Sequence, residues 1–265
     1  MQGNRFRKPS KEELQELYWR KGLSIRQIGK LIGRSAEVVV RLMKRYGIPR
    51  RPRGDRPEQV DLSPSPELAY VFGVCKGDGS VHADLKSKSY YVSLGCMDKD
   101  FTEEFKRCLE KIIKKQIKIY LCLNSQYLIR VRSKMLYQFL KGAPTWLAEM
   151  FPKEFVRGVA DSEGSASVVK KKTKSGGVYV YPKVSISNSD LGLLVWVKKL
   201  LMGLGIKAGV YLSKEGEGTR KPSYELDIAR KESVFKFAEL IGFNISRKHE
   251  VLKGYFIPTD RDLLT

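Results

Sequence analysis

The segment Val71-Phe-Gly-Val-Cys-Lys-Gly-Asp78-Gly79-Ser80 returns eighty-five residues later as Val156-Arg-Gly-Val-Ala-Asp-Ser-Glu163-Gly164-Ser165. Val71/Val156, Gly73/Gly158, Val74/Val159, Gly79/Gly164 and Ser80/Ser165 are identical, and the only acids at matching positions are Asp78 and Glu163. A chain that carries one element twice is built from two similar units. Each copy reads as a short helix, apolar at its start through Leu68, Ala69, Val71 and Phe72, and again through Phe155, Val156 and Val159. Gly73 with Gly77, and Gly158 with Ser162, place small residues at i and i+4 on one face, which lets two helix backbones approach closely. Gly79 and Gly164 then stand where a left-handed cap is expected to end each helix.

The two acids fall at the wrong end of their helices. A helix C-terminus carries about half a negative charge, so a carboxylate there is disfavoured by about 0.3 to 1 kcal/mol. If the helices pack through their small faces, Asp78 and Glu163 also repel each other. A divalent cation between them reverses both penalties, because carboxylate plus water is a ligand set that Mg²⁺ accepts. The plainer alternative is a pair of helix ends whose acids point into water.

The segments after the two copies are also alike. After Ser80, alternation over 81–88 and 90–96 predicts a hairpin, and Asp98 opens a helix to about Lys114 with Phe101, Phe105, Leu109 and Ile112 on one stripe. A second hairpin is expected over 116–123 and 127–132, with a helix from Lys134 to Lys141. The second unit repeats the order, with strands at 165–172 and 178–187 about the turn 174–177, a helix from Asp190 to Gly203, and strands at 206–214 and 224–229. Pairing Asp98 with Asn188 makes the first hairpin of this unit five residues longer, and Tyr127/Tyr224 with Lys134/Lys231 adds seven in the second. Insertions fall at hairpin tips, where repeats tolerate them. The fold class is α+β, two pseudo-symmetric αββαββα repeats after a small all-α domain.

Fifty Lys and Arg against twenty-nine Asp and Glu give a net charge of +21 in a chain that is 42% apolar. A polyanion is the expected partner. No apolar run approaches the eighteen or so residues of a membrane span, so nucleic acid is favoured over a membrane. Cys75, Cys96, Cys108 and Cys122 lie singly among apolar neighbours without metal or redox spacing, as reduced residues of an intracellular protein do, in cytoplasm, nucleoid or organelle. With only His82 and His249, zinc-finger and histidine-based nuclease motifs are unsupported.

The first 56 residues hold sixteen basic and five acidic side chains. Ser10, Ser24 and Ser35 are spaced to cap three helices, with Gly33 and Gly47 ending the second and third. Gly29, the Gly33 turn, Val39 and Leu42 give helix-turn-helix spacing, which makes residues 36–45 a recognition helix with Arg41, Lys44 and Arg45 on its outer face. A basic three-helix extension packed on the body is the other reading. Between 47 and 66, five prolines alternate with Arg50, Arg51, Arg53 and Arg56, so this stretch reads as an extended tether, either following a minor groove or solvated. The expected divisions are 1–48 for the helix-turn-helix domain, 49–66 for the linker, and 67–149 and 150–265 for the repeats.

The two copies, Gly73-Val-Cys-Lys-Gly-Asp78-Gly79 and Gly158-Val-Ala-Asp-Ser-Glu163-Gly164, resemble the motif of the LAGLIDADG homing endonucleases, and two in one chain resemble its single-chain, pseudo-symmetric members. Lys76 and Gly77 depart from the usual pattern, but the acid remains. The resemblance implies a monomer whose motif helices pack at the repeat interface and whose eight strands form a saddle in the major groove of double-stranded DNA. It implies Mg²⁺, replaceable in binding by Mn²⁺ or Ca²⁺, held at Asp78 and Glu163 together with Gly77 and Ser162, and a double-strand break with 3′ overhangs. It also implies a basic residue near each acid, for which Lys134 and Lys231 are the candidates. Candidate saddle contacts are Lys86, Lys88, Arg130, Arg132, Lys170, Lys172, Tyr179, Tyr181, Lys183 and Lys214, with strand register undetermined. A non-cleaving regulator, or a maturase folding intron RNA on the same basic surface, is the alternative.

Overall fold

The computed structural model describes residues 8–50, 59–173, 176–217, 219 and 221–256. The chain divides into two units, Met1–Glu58 and Gln59–Thr265. Arg51, Arg53 and Arg56 of the expected tether, and positions 174 and 175 of the expected turn, lie outside the described residues.

In the first unit, α1 (Lys11–Gln15) runs into a π-helical turn (Glu16–Arg20), followed by α2 (Ile25–Leu31) and α3 (Ala36–Arg45). Ser24 accepts from the Gln27 amide at 3.2 Å while the Gln27 side chain accepts from the Ser24 amide at 2.9 Å, closing a capping box. Gly29 is required where α2 meets the next turn, because a Cβ there would lie 2.5 Å from the Arg34 carbonyl oxygen. Leu14, Ile28, Val39 and Met43 form the buried centre.

The second unit holds both repeats. The first comprises α4 (Pro66–Val74), β1 (Ser80–Asp84), β2 (Ser89–Cys96), α5 (Lys99–Ile113), β3 (Tyr120–Leu121), β4 (Tyr127–Arg132) and α6 (Lys134–Lys141). A connecting helix α7 (Thr145–Met150), which periodicity does not reveal, leads to α8 (Pro152–Glu163). The second repeat continues with β5 (Gly164–Lys172), β6 (Val178–Asn188), α9 (Leu191–Gly203), β7 (Gly209–Lys214), β8 (Ser223–Ile228) and α10 (Lys231–Leu240), and α11 (Ser246–Phe256) comes last. The sheets are antiparallel, ordered β1-β2-β4-β3 and β5-β6-β8-β7.

Register aligns the repeats differently from the expected spacing. Leu94 pairs with Ile129 and Ile186 with Leu226, and the helix caps are Asp98 and Asp190, so β2 and β6 correspond at an offset of ninety-two rather than ninety. The longer insertion therefore falls in the first hairpin. Strand β1 also stops at Asp84, earlier than expected, because the Asp84 carboxylate accepts from the Lys86 and Ser87 amides and Lys88 turns at φ 48°.

α4 and α8 cross in near backbone contact. A Cβ on Gly73 would lie 2.2 Å from the Phe155 carbonyl oxygen, and one on Gly158 would lie 2.4 Å from that of Tyr70. Around this contact Phe72, Phe155 and Trp196 pack ring on ring, with centroids 4.6 to 6.3 Å apart. Fully burying a side chain such as Phe72 or Phe155 stabilises by about 1.5–3 kcal/mol.

The glycines after the acids do not form the left-handed caps expected from their positions. Gly164 is extended, at φ −90° and ψ 156°. What excludes a side chain is proximity: a Cβ on Gly164 would meet the Ala160 carbonyl oxygen at 2.4 Å, and one on Gly79 the Val74 oxygen at 2.9 Å. The copies also end differently. α8 continues through Glu163, whereas α4 stops at Val74 and reaches Asp78 through tighter turns, Lys76 N to Gly73 O and Gly77 N to Val74 O, both 3.0 Å.

Candidate metal and nucleic-acid site

The helix contact delivers the two acids to one place. A Cβ on Gly77 would meet the Glu163 Cγ at 2.9 Å and the Ser162 Cβ at 2.5 Å, so the chain just before Asp78 lies against the end of α8. Asp78 keeps an exposed edge, while Glu163 is half-buried. The protein packed around Asp78 raises its carboxyl above the ordinary aspartate value, Lys248 pulls it down and Asp98 adds to the rise. Glu163 is raised first by burial and then by Asp78, and is lowered by Lys248 and by Asn188, whose Nδ2 donates to Glu163 Oε1 at 3.2 Å. The surroundings of each carboxyl group thus oppose its charged form.

Lys248 is a cation that acts on both acids, and it is absent from the candidates that the sequence suggests. It is 6% exposed, and its Nζ donates to the carbonyl oxygens of Asp161 at 2.6 Å and Ala160 at 3.3 Å, in the last turn of α8. Its placement is set by how α11 begins. Ser246 N donates to the Asp100 carboxylate, and the Arg247 guanidinium grips Asp98 at 2.7 and 2.9 Å. Ile245, Lys248 and Leu252 share one stripe and are all buried, so a lysine at an apolar position is the available signal.

Asp161 turns away from the acids, as its position two residues before Glu163 implies. It is buried, accepting from Tyr70 Oη at 2.8 Å, Asn244 N at 3.0 Å and Asn244 Nδ2 at 2.9 Å. The Lys134 and Lys231 ammonium groups are placed over aromatic rings, those of Tyr90 and Tyr255. Ser133 N donates to Tyr90 O, opposite Ala83, and the Lys134 ammonium lies over the Tyr90 ring. Ala83 is three residues beyond Ser80, about 10 Å along β1. The Lys231 ammonium lies over Tyr255, whose hydroxyl reaches Val180 O, opposite Lys170 and about 20 Å along β5 from Gly164.

Among the described residues, no group of three or more His, Cys, Asp and Glu side chains gathers to cage a metal. The donor set is an open pair of carboxylates. That set suits a cation which keeps water and substrate oxygens among its ligands, as Mg²⁺ does.

Residues 65–142 and 150–242 match the LAGLIDADG-like domain. The chain belongs to the LAGLIDADG family. An uncharacterized protein of Methanocaldococcus jannaschii, MJ0398, is 34% identical over 220 residues, covering 76% of each chain. A second from that organism, MJ0314, is 38% identical over 168 residues, 59% of this chain and 61% of its own length. The fold is shared with a solved structure of variants of the homing endonuclease I-DmoI, at TM-score 0.51 and 22% identity, over 67% of this chain and 95% of that one. It is shared equally with I-DmoI in complex with DNA and Mn, at TM-score 0.50 and 21% identity, over 67% and 96% of the two chains.

In this LAGLIDADG chain, register settles which strand residues share a face. Val92, Leu94, Ile129 and Val131 are buried in the first sheet, and Val184, Ile186, Leu226 and Ile228 in the second. Their alternates point outward. In the first sheet these include His82, stacked on Tyr91 at 5.2 Å, and Arg130, whose guanidinium lies 5.5 Å from the Tyr91 ring, with Arg132 beyond. In the second they include Tyr179 and Tyr181, stacked at 5.4 Å, and Lys183. Lys170 and Lys172 pair with Val180 and Val178 on the opposite face, and the outward lysine of that run is Lys171, opposite Tyr179. Lys86 and Lys88 are exposed in the β1–β2 turn, and Lys214 is exposed opposite Ser223 beyond an irregularity in β7. In the first unit Arg41, Lys44 and Arg45 are exposed on α3, and Arg50 is exposed after it. Among the described residues, no helix is long and apolar enough to cross a membrane.

Proposed function

We propose that this LAGLIDADG chain is a site-specific endonuclease that cuts both strands of a long DNA target, leaving 3′ overhangs. The observation that carries the reading is the pair of strained acids, Asp78 and Glu163, brought together by a helix contact that only glycine permits. A passive binder gains nothing from holding two repelling carboxylates at this junction. Asp78 and Glu163 would hold Mg²⁺, with Gly77 and Ser162 beside them. When bound, Mg²⁺ supplies neutralisation of the scissile phosphates and a lowered pKa for water. Because one chain supplies both acids, a monomer suffices.

The outward strand residues are the DNA contacts in this reading, with Lys171 in place of Lys170 and Lys172. Lys248 takes the assisting role first expected of Lys134 and Lys231: its buried ammonium offsets the charge that two carboxylates and the end of α8 concentrate. The three-helix unit adds a further DNA contact through Arg41, Lys44 and Arg45.

Purified full-length protein with Mg²⁺ is expected to make a double-strand break at one long site selected from a random library, and EDTA to abolish it. A tight specific complex that never cuts with Mg²⁺ or Mn²⁺ transfers the assignment to a regulator or an RNA maturase. Lys248→Met is expected to lower the single-turnover cleavage rate by about 10²-fold while DNA binding is retained, the scale seen when one fixed charge-stabilising donor is lost. An unchanged rate removes Lys248 from the machinery.

A further inference from the structure

The two sheets differ in charge at corresponding outward positions, and at one of them the sign is reversed. Pairing of Leu94 with Ile129 and of Ile186 with Leu226 makes Tyr91 correspond to Lys183, Arg130 to Asp227 and Leu128 to Glu225. In the first sheet the diagonal pair is a cation on an aromatic ring, Arg130 over Tyr91. In the second it is an ion pair, Lys183 Nζ to Asp227 Oδ2 at 2.7 Å, extended by Lys183 Nζ to Glu225 Oε1 at 3.1 Å. Two carboxylates on a surface meant for phosphate-bearing DNA oppose binding unless something there donates to them.

The two acids are not equivalent. Asp227 accepts from Lys183, from Ser185 Oγ at 2.8 Å and from Tyr211 Oη at 2.6 Å. It is supplied with donors and fixes Lys183 in place. Glu225 has the Lys183 ammonium and a long contact from Ser213 Oγ at 3.5 Å. Lys183 and Glu225 therefore present a donor and an acceptor side by side, 3.1 Å apart, on the outward face.

We propose that Lys183 and Glu225 together read a single G·C base pair in one orientation, with Asp227 as the positioning residue. The inference rests on the proposed DNA-binding function. The major-groove edge of that pair offers the guanine N7 and O6 acceptors beside the cytosine N4 donor, and lysine to guanine and glutamate to cytosine are the matching contacts. O6 and N4 are themselves hydrogen-bonded, hence about 3 Å apart, the separation of Lys183 Nζ and Glu225 Oε1. An A·T pair places its one donor between two acceptors, so Lys183 can face only one of them there, whereas on guanine its ammonium spans the adjacent N7 and O6 together. The corresponding Tyr91 and Leu128 cannot make this pattern, so the requirement belongs to the second half-site alone.

The test is selection of bound sites from a random duplex library by the full chain carrying Glu163→Gln, with Ca²⁺ present, followed by the same selection with Lys183→Met, Glu225→Gln or Asp227→Asn added. The expected result is one base pair that is G·C in the parent pool and whose preference falls about ten-fold or more in both the Lys183 and Glu225 variants, with Asp227→Asn weakening the same position. Preferences elsewhere in the site stay as they were. Relaxation at two different positions, relaxation at a pair other than G·C, or a uniform loss of affinity with the sequence profile intact overturns the proposal, and leaves the DNA-binding reading standing. A parent chain that selects no sequence at all overturns both.

Discussion

Glu163→Gln is expected to abolish double-strand cleavage while leaving specific DNA binding in place, and Asp78→Asn to do the same. Both side chains keep their shape and lose only the charge that a divalent cation needs. The loss should reach at least the 10²- to 10³-fold scale of single electrostatic contributors, taking each acid to serve the cutting of one strand in the proposed reading. Neither substitution should unfold the protein. The surroundings already oppose ionisation of both groups, chiefly by burial, so a neutral isostere relieves an existing conflict. Supercoiled and linear substrate separate the outcomes: wild type gives linear product, while a variant with one surviving acid gives at most nicked circles. Wild-type linearisation by Glu163→Gln removes Glu163 from the mechanism.

Gly73→Ala is expected to be among the most destabilising single-methyl changes in the chain. The added Cβ would sit 2.2 Å from the Phe155 carbonyl oxygen and 3.2 Å from the Gly158 Cα, against backbone on both counts. A flexible side chain can move aside from such a clash; two helix backbones at the centre of the unit cannot. Overpacking of this kind costs about 3 kcal/mol or more, which for a unit of this size lowers the thermal midpoint by about 6–12 °C. Gly95→Ala is the control. Its Cβ meets nothing nearer than Leu128 Cδ1 at 3.9 Å, so its midpoint should stay close to wild type. Circular dichroism melting of the two variants decides the matter, and a Gly73→Ala midpoint equal to wild type would mean that α4 and α8 do not pack as described.

The parts of the molecule written in local pattern are readable from the chain. The doubled motif marks the helix pair and the stripe of Phe101, Phe105, Leu109 and Ile112 marks α5, and both are found where expected. Register is not readable, because it depends on which strands pair. In the run Lys170-Lys171-Lys172 every residue is polar, so alternation has no phase and the sequence does not say which of the three shares a face with Tyr179. The offset between Asp98 and its partner fails for the same reason, since Asn188 and Asp190 are both good helix-capping residues and only the ladder distinguishes them. Lys248 escapes notice because a lysine on an apolar stripe looks like a solvated side chain until α11 is seen to close over the end of α8. The glycines after the acids are special for a reason other than the expected one, close approach having the same sequence signature as a left-handed turn.

The first hairpin of the second repeat has longer strands than that of the first, nine residues in β5 against five in β1. Four residues more at about 3.3 Å each is about 13 Å, and duplex DNA advances about 3.4 Å per base pair. On the proposed reading, one arm reaches about four base pairs further along the groove than the other, so a cut made at the two acids would fall off the middle of the recognised stretch, and a palindrome centred on it would fit the two arms poorly.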